Sequence, residues 1–227
     1  MSRASVYAGT PASARMGRTT VLQQLLDAGV VAVLRGVPTA ALPAVVDALV
    51  AGGVTAIELT ADTPGVHDAV AAVAADDRVT VGVGTVREPS QIADLVDVGA
   101  SFVVSPICDP AVVDAAHTED VPTAAGCLTP TEVHVAMGAG ADIIKIFPAS
   151  VATPGLLAAL RATLDPPPLM PTGGISPTTL GDYIEAGAGC VGVGGSLLAG
   201  TDPNAPDPDR IRSAAEAHMA ALTAARG

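Results

Sequence analysis

From about Thr19 onward this chain repeats one pattern eight times, a short β-branched run followed by a longer Ala/Leu/Asp stretch with helical spacing. The strand candidates are Val31–Leu34, Thr55–Leu59, Val79–Val83, Phe102–Val104, Val121–Ala124, Ile143–Ile146, Pro168–Met170 and Cys190–Val193. Helical stretches follow them near Ala40–Ala51, Val66–Ala74, Ser90–Val98, Ala111–His117, Thr131–Gly138, Pro154–Leu164, Pro177–Ala186 and Pro208–Ala224, and one further helix, roughly Thr20 to Ala28, leads. Similar phrases join helix to strand: Ala51-Gly52-Gly53, Val98-Gly99-Ala100, Gly138-Ala139-Gly140-Ala141 and Ala186-Gly187-Ala188-Gly189. A glycine there suits the left-handed residue that ends a helix, and Pro130 suits a helix start.

Eight βα units with no Pro/Gly-rich linker between them predict an α/β fold, a single closed (β/α)8 TIM barrel with an N-terminal helix. A doubly wound open sheet is the alternative. The position of the polar residues separates the two, because a barrel gathers them at the C-terminal ends of several strands. Here those ends carry Arg35, Glu58, Thr85, Ser105-Pro106, Gly126, Lys145, Thr172-Gly173-Gly174 and Gly194-Gly195-Ser196. A length of 227 residues fits one barrel domain. The barrel takes residues 18–227, and residues 1–17 read as a flexible N-terminal tail, with Met16 a second candidate start. That tail has arginines but no apolar centre, so it does not resemble a secretory signal. No apolar run reaches membrane-spanning length, and a cytoplasmic protein is expected.

Lys145 is the only lysine in the chain, and it lies in the apolar run Ile143-Ile144-Lys145-Ile146-Phe147-Pro148. A buried amine is costly as the ammonium ion, and burial leaves a fraction of free base able to attack a carbonyl. That is the requirement for Schiff-base chemistry. A lysine that snorkels to water from a strand end would look the same locally, so the neighbouring strand ends have to decide.

Strands seven and eight run into the glycine pairs of Pro171-Thr172-Gly173-Gly174-Ile175-Ser176 and Gly192-Val193-Gly194-Gly195-Ser196. Glycine lets main-chain N–H groups approach an anion, a helix N-terminus just beyond adds a favourable dipole, and this is the usual phosphate position of such barrels. Glu58 closes strand two and could exchange protons with a substrate carbonyl near Lys145, or merely pair with that lysine. Arg35 and Thr85 can hold carboxylate or hydroxyl oxygens.

A formal charge of −12 argues against a nucleic-acid partner, which would need a basic stripe. An acidic surface with one lysine and few aromatics suits a salty cytoplasm, where ions screen self-repulsion. Compositional bias in an Ala/Val/Asp-rich proteome would give the same balance. Cys108, Cys127 and Cys190 show no metal-ligand spacing, and no metal or other cofactor is expected. The histidines, His67, His117, His134 and His218, lie in polar helical stretches and are expected to be solvated.

From about Val31 to Leu198 the chain resembles the class I 2-keto-3-deoxy-6-phosphogluconate (KDPG) aldolases, including their 6-phosphogalactonate (KDPGal) branch. The motifs are Val33-Leu34-Arg35-Gly36, Ala51-Gly52-Gly53-Val54, Ile57-Glu58-Leu59-Thr60, Gly82-Val83-Gly84-Thr85-Val86, Phe102-Val103-Val104-Ser105-Pro106, Leu128-Thr129-Pro130-Thr131-Glu132, Lys145-Ile146-Phe147-Pro148-Ala149, Pro171-Thr172-Gly173-Gly174-Ile175 and Gly194-Gly195-Ser196. The resemblance implies that Lys145 forms the imine and Glu58 shuttles the proton. It implies that Thr85, Pro106 and Phe147 line the pyruvyl pocket, while Thr172, Gly173, Gly174, Gly194, Gly195 and Ser196 hold the phosphate. It further implies a metal-independent homotrimer acting on a phosphorylated 2-keto-3-deoxy sugar acid and releasing pyruvate. Two departures stand out. Gluconate-type members often carry an arginine where this chain has Asp62, which puts the C4 stereochemistry of the substrate in question. The family's Pro-Gly after strand five is Ala125-Gly126. The competing readings are a phosphosugar isomerase or epimerase, in which Lys145 only polarises a carbonyl, and a non-catalytic phosphosugar-binding barrel.

Overall fold

The β-branched runs pair side by side, each strand's hydrogen bonds completed by the next, and the result is a barrel. The computed structural model describes residues 16–227. The expected tail therefore lies outside the described residues except for Met16 and Gly17. The strands are β1 (Val30–Leu34), β2 (Ala56–Thr60), β3 (Thr80–Gly84), β4 (Val103–Val104), β5 (Thr123–Cys127), β6 (Ile143–Ile146), β7 (Leu169–Pro171) and β8 (Val191–Val193). They alternate with α1 (Arg18–Ala28), α2 (Leu42–Ala51), α3 (Val66–Ala74), α4 (Ile92–Asp97), α5 (Pro110–Thr118), α6 (Pro130–Gly138), α7 (Pro154–Leu164), α8 (Pro177–Glu185) and α9 (Pro208–Arg226). All ladders are parallel, in the order β7-β6-β5-β4-β3-β2-β1-β8. The isolated parallel bridges Leu169↔Ala188 and Thr172↔Gly192 close the ring between β7 and β8. An open doubly wound sheet is thereby excluded.

Strand side chains alternate between faces, and the burial divides accordingly. Val30, Ala32, Leu34, Ile57, Leu59, Ile144 and Ile146 belong to the large core between barrel and helices. Val31, Ala56, Phe102, Val104, Ala124, Ile143, Met170 and Cys190 form a second core inside the barrel, joined by Val21 and Leu25 of α1, which plugs its N-terminal end. The same alternation turns Glu58, two residues after Ala56, and Lys145, two residues after Ile143, into the barrel above that plug. Interior glycines make room for Phe102 and Glu58. A methyl group on Gly82 would overlap the Phe102 ring, and one on Gly84 would overlap the Glu58 carboxyl group.

The expected glycine stops hold: Gly53, Gly99, Gly140 and Gly187 all take positive φ. The fifth strand is displaced from its expected position at Val121–Ala124 to Thr123–Cys127. Its Ala-Ala-Gly-Cys sequence carries no β-branched signal, and pairing from Ala124↔Ile143 to Cys127↔Ile146 determines it instead. Among the described residues no helix is long and apolar enough to cross a membrane.

Candidate active site

Lys145 is 4% exposed and Glu58 1%, both inside the barrel near the C-terminal strand ends. The Lys145 amine lies 5.2 Å from the centre of the Phe147 ring, within range of a cation–π contact. Neither Glu58 oxygen has a hydrogen-bond partner, Lys145 included. The carboxylate is thus not consumed by a hydrogen-bonded ion pair. Burial raises its pKa, and the charges of Lys145 and then Arg35 pull the other way without overcoming it. A buried, unpartnered carboxyl group with a raised pKa is suited to give and take protons, and structures keep such a group where function uses it.

At the end of β1, Arg35 reaches across the mouth. Its guanidinium donates from Nη1 to the Asp62 carboxylate and from Nη2 to Thr85 Oγ1 at 2.9 Å. Thr85, the residue after β3, has φ +59, an uncommon conformation for a β-branched side chain. Strain of this kind persists where surrounding structure enforces it, and here it accompanies a hydroxyl turned to Arg35. Asp62 was expected only as a missing arginine; the structure instead places it as the partner of Arg35. Burial opposes ionisation of Asp62, but a hydrogen bond from Thr60 and then the charge of Arg35 hold its carboxyl below the ordinary range.

On the far side, Pro106 packs its carbonyl group over Gly126, where no side chain would fit. Phe147, 38% exposed, covers the edge of the glycine loops: a Cβ on Gly173 would sit 3.3 Å from its ring. Gly173 and Gly174 have φ +90 and +86, which open the loop between β7 and α8 and leave α8 starting just beyond, capped at Ser176. Thr172 is buried, with its hydroxyl donating to the Met170 carbonyl at 3.3 Å and its side chain filling the space above Gly192. After β8, Gly194 and Ser196 lead into a turn closed by Leu197 N–H to Gly194 C=O at 2.9 Å, and a substituent on Gly195 would meet open space. The expected helix dipole therefore acts at the first loop only, since the next helix after β8 is α9. The Ser196 hydroxyl also turns inward, donating to the Ile175 carbonyl at 2.8 Å.

The expectation that the histidines are solvated is corrected. His218 is not solvated but fully buried on α9, bonded to Ser196 and to the Ala214 carbonyl. Its place in the apolar spacing Ile211, Ala215, His218, Leu222 was the available signal. His117 is half-buried and pairs with Asp142 at 2.9 Å. Among the described residues, no group of three or more His, Cys, Asp and Glu side chains gathers as metal ligands would.

Residues 21–214 match the family model described as KDPG and KHG aldolase. The chain belongs to the KDPG and KHG aldolase family. A probable 2-dehydro-3-deoxy-6-phosphogalactonate aldolase of Rhizobium meliloti is 36% identical over 89% of this chain and 95% of that protein. The KHG/KDPG aldolase of Escherichia coli is 38% identical over 72% of this chain and 78% of its own length. Among solved structures, the KDPG aldolase of Legionella pneumophila, with pyruvate captured as a covalent carbinolamine, superposes with TM-score 0.80 at 25% identity, covering 86% of this chain and 97% of that one. This aldolase thus shares its barrel with a relative in which pyruvate has been held covalently.

Proposed function

We propose that this aldolase cleaves 2-dehydro-3-deoxy-6-phosphogluconate to pyruvate and glyceraldehyde 3-phosphate through an imine on Lys145. The observation that carries the reading is the pair at the barrel's C-terminal end: one buried amine, and one buried carboxyl group left without a partner. The Lys145 amine adds to the C2 carbonyl, and water leaves to give a protonated imine. Glu58, directly or through a water, takes the C4 hydroxyl proton. The C3–C4 electron pair flows into the imine, and glyceraldehyde 3-phosphate departs. Glu58 returns the proton to C3 of the enamine, and hydrolysis frees pyruvate and Lys145. Arg35 and Thr85 hold the C1 carboxylate, with Pro106 and Phe147 walling the pyruvyl group. Main-chain groups of Thr172, Gly173, Gly174, Gly194, Gly195 and Ser196 hold the phosphate, helped by the α8 N-terminus.

A second substrate, the 4-epimer 2-dehydro-3-deoxy-6-phosphogalactonate, is favoured by one feature: Asp62, paired with Arg35, stands where gluconate-type members carry an arginine. The working form is a homotrimer, a reading supported by exposed Ile107, Val135 and Val151, and the compartment is the cytoplasm. The test is product analysis with each epimer. Equimolar pyruvate and glyceraldehyde 3-phosphate are expected; rearranged sugar acid without pyruvate would establish an isomerase or epimerase, and binding without turnover a regulator.

A further inference from the structure

His218 has no place in the mechanism above, yet it touches the phosphate loops through one hydroxyl. Its Nδ1 lies 2.7 Å from the Ala214 carbonyl oxygen and its Nε2 3.2 Å from Ser196 Oγ, while Ser196 Oγ lies 2.8 Å from the Ile175 carbonyl oxygen. A carbonyl oxygen only accepts, so Nδ1 carries a hydrogen. In the neutral ring Nε2 is then an acceptor as well. The single hydroxyl hydrogen of Ser196 faces two acceptors, Nε2 and Ile175 C=O, and can satisfy one. A second proton on the ring resolves the conflict. Nε2–H then donates to Ser196, Ser196 donates to Ile175, Nδ1–H donates to Ala214, and every group is matched.

That chain of bonds ends in both glycine loops, Ser196 belonging to one and Ile175 to the other. Neither loop, residues 171–176 or 192–198, contains a lysine, arginine or histidine. A phosphate held there meets amides and one helix dipole, but no cationic side chain of the loops themselves. We propose that His218 is a positioning residue for the phosphate, taking up a proton as the dianion binds and passing its charge through the Ser196 hydroxyl to both glycine loops. The inference rests on the phosphate site proposed above.

In the free protein the ring is kept neutral chiefly by burial, against which the Ala214 carbonyl acts. No other ionisable group contributes to that shift. On α8, Asp182 and Glu185 are exposed, and the Tyr183 hydroxyl is engaged with the Ala149 and Ala152 carbonyls. On α2, Asp47 is exposed and paired with Arg78; β1 carries no ionisable side chain. Between β8 and α9, Asp202 and Asp207 are exposed and bind local amides. On α9 itself Asp209 and Glu216 are exposed and pair with Arg212, while Arg210 donates to the Ala199 carbonyl and Arg226 to the Leu26, Asp27 and Gly189 carbonyls. A bound dianion would therefore be the dominant charge acting on the ring.

Sulfate is the probe, because its charge does not change over the pH range in which histidine titrates. The His218 resonance in histidine-labelled protein, identified by its loss in His218→Gln, is titrated with and without saturating sulfate. The ring pKa is expected to rise, and sulfate should inhibit cleavage of the phosphorylated substrate about fivefold or more tightly at pH 5 than at pH 8. Both effects should vanish in Ser196→Ala, which leaves the ring in place and carries the test if His218→Gln does not fold. Competitive inhibition by sulfate with an unmoved ring titration would overturn the role of His218 and leave the phosphate site standing. Failure of sulfate to compete at all would overturn both.

Discussion

Gly84 is where one methyl group should separate imine formation from proton transfer. Its φ lies in the ordinary range for any residue, so alanine meets no backbone penalty there. The obstacle is steric. The added carbon would lie 2.5 Å from Glu58 Cγ and closer still to the carboxyl atoms, where ordinary contact begins near 3.4 Å. Relief demands that the carboxylate move by about 1 Å or more, a misplacement that can cost on the order of 100-fold in rate. Overpacking a buried site should also cost about 1–3 kcal/mol, lowering Tm by roughly 2–4 °C per kcal/mol for a chain of this size. The assay is turnover in Gly84→Ala alongside trapping of pyruvate by borohydride, which needs the amine but can borrow protons from water. Turnover should fall about 100-fold while slow trapping survives. In a Glu58→Ala background, with no carboxyl group left to displace, the same glycine change should cost little further activity. Wild-type turnover in Gly84→Ala, or full additivity of the two changes, would refute the reasoning.

Glu58→Gln should slow cleavage and the exchange of pyruvate methyl hydrogens with deuterated solvent, by roughly 100- to 10,000-fold. In the wild type, exchange should fall on acidification through a pKa above the ordinary 4.5, since protonation removes the base; the variant should lack that limb, and wild-type exchange in it would reduce Glu58 to a counter-charge. Asp62→Asn removes a negative charge beside Arg35, and for so exposed a pair KM should fall no more than about fivefold. An unchanged or higher KM would show that Arg35 does not meet the substrate carboxylate through this charge. With a net charge of −12, the fold should lose thermal stability as salt is lowered from molar to low concentration, because carboxylate repulsion is no longer screened. A Tm insensitive to salt would remove the case for salt adaptation.

The barrel was legible because the pattern repeats: several helices announce their ends with a glycine, and Gly53, Gly99, Gly140 and Gly187 all take the left-handed geometry that a helix stop uses. The positions of Lys145 and Glu58 were legible for a simpler reason, since period-two alternation turns each inward once its strand is placed. What escaped depended on contacts distant in sequence. Asp62 and Arg35 are 27 residues apart, and nothing local says that an aspartate in an arginine's place would take the neighbouring arginine as partner. Ser196 and His218 lie 22 apart, and nothing local says that the seryl hydroxyl of a phosphate loop would turn inward to a carbonyl and an imidazole. The fifth strand slipped for a related reason: alanine and glycine carry no strand preference, and the neighbouring ladder decides.

The central claim is that a covalent bond forms between pyruvate and one buried amine. Protein incubated with pyruvate and borohydride should gain the mass of one reduced pyruvyl group, and peptide mapping should place it on Lys145, the only lysine in the sequence. Lys145→Arg keeps the charge but cannot form the imine, so both the mass gain and cleavage should disappear while the fold remains. A mass gain that persists in Lys145→Arg, or a wild-type protein that turns over substrate without ever acquiring the adduct, would contradict the account.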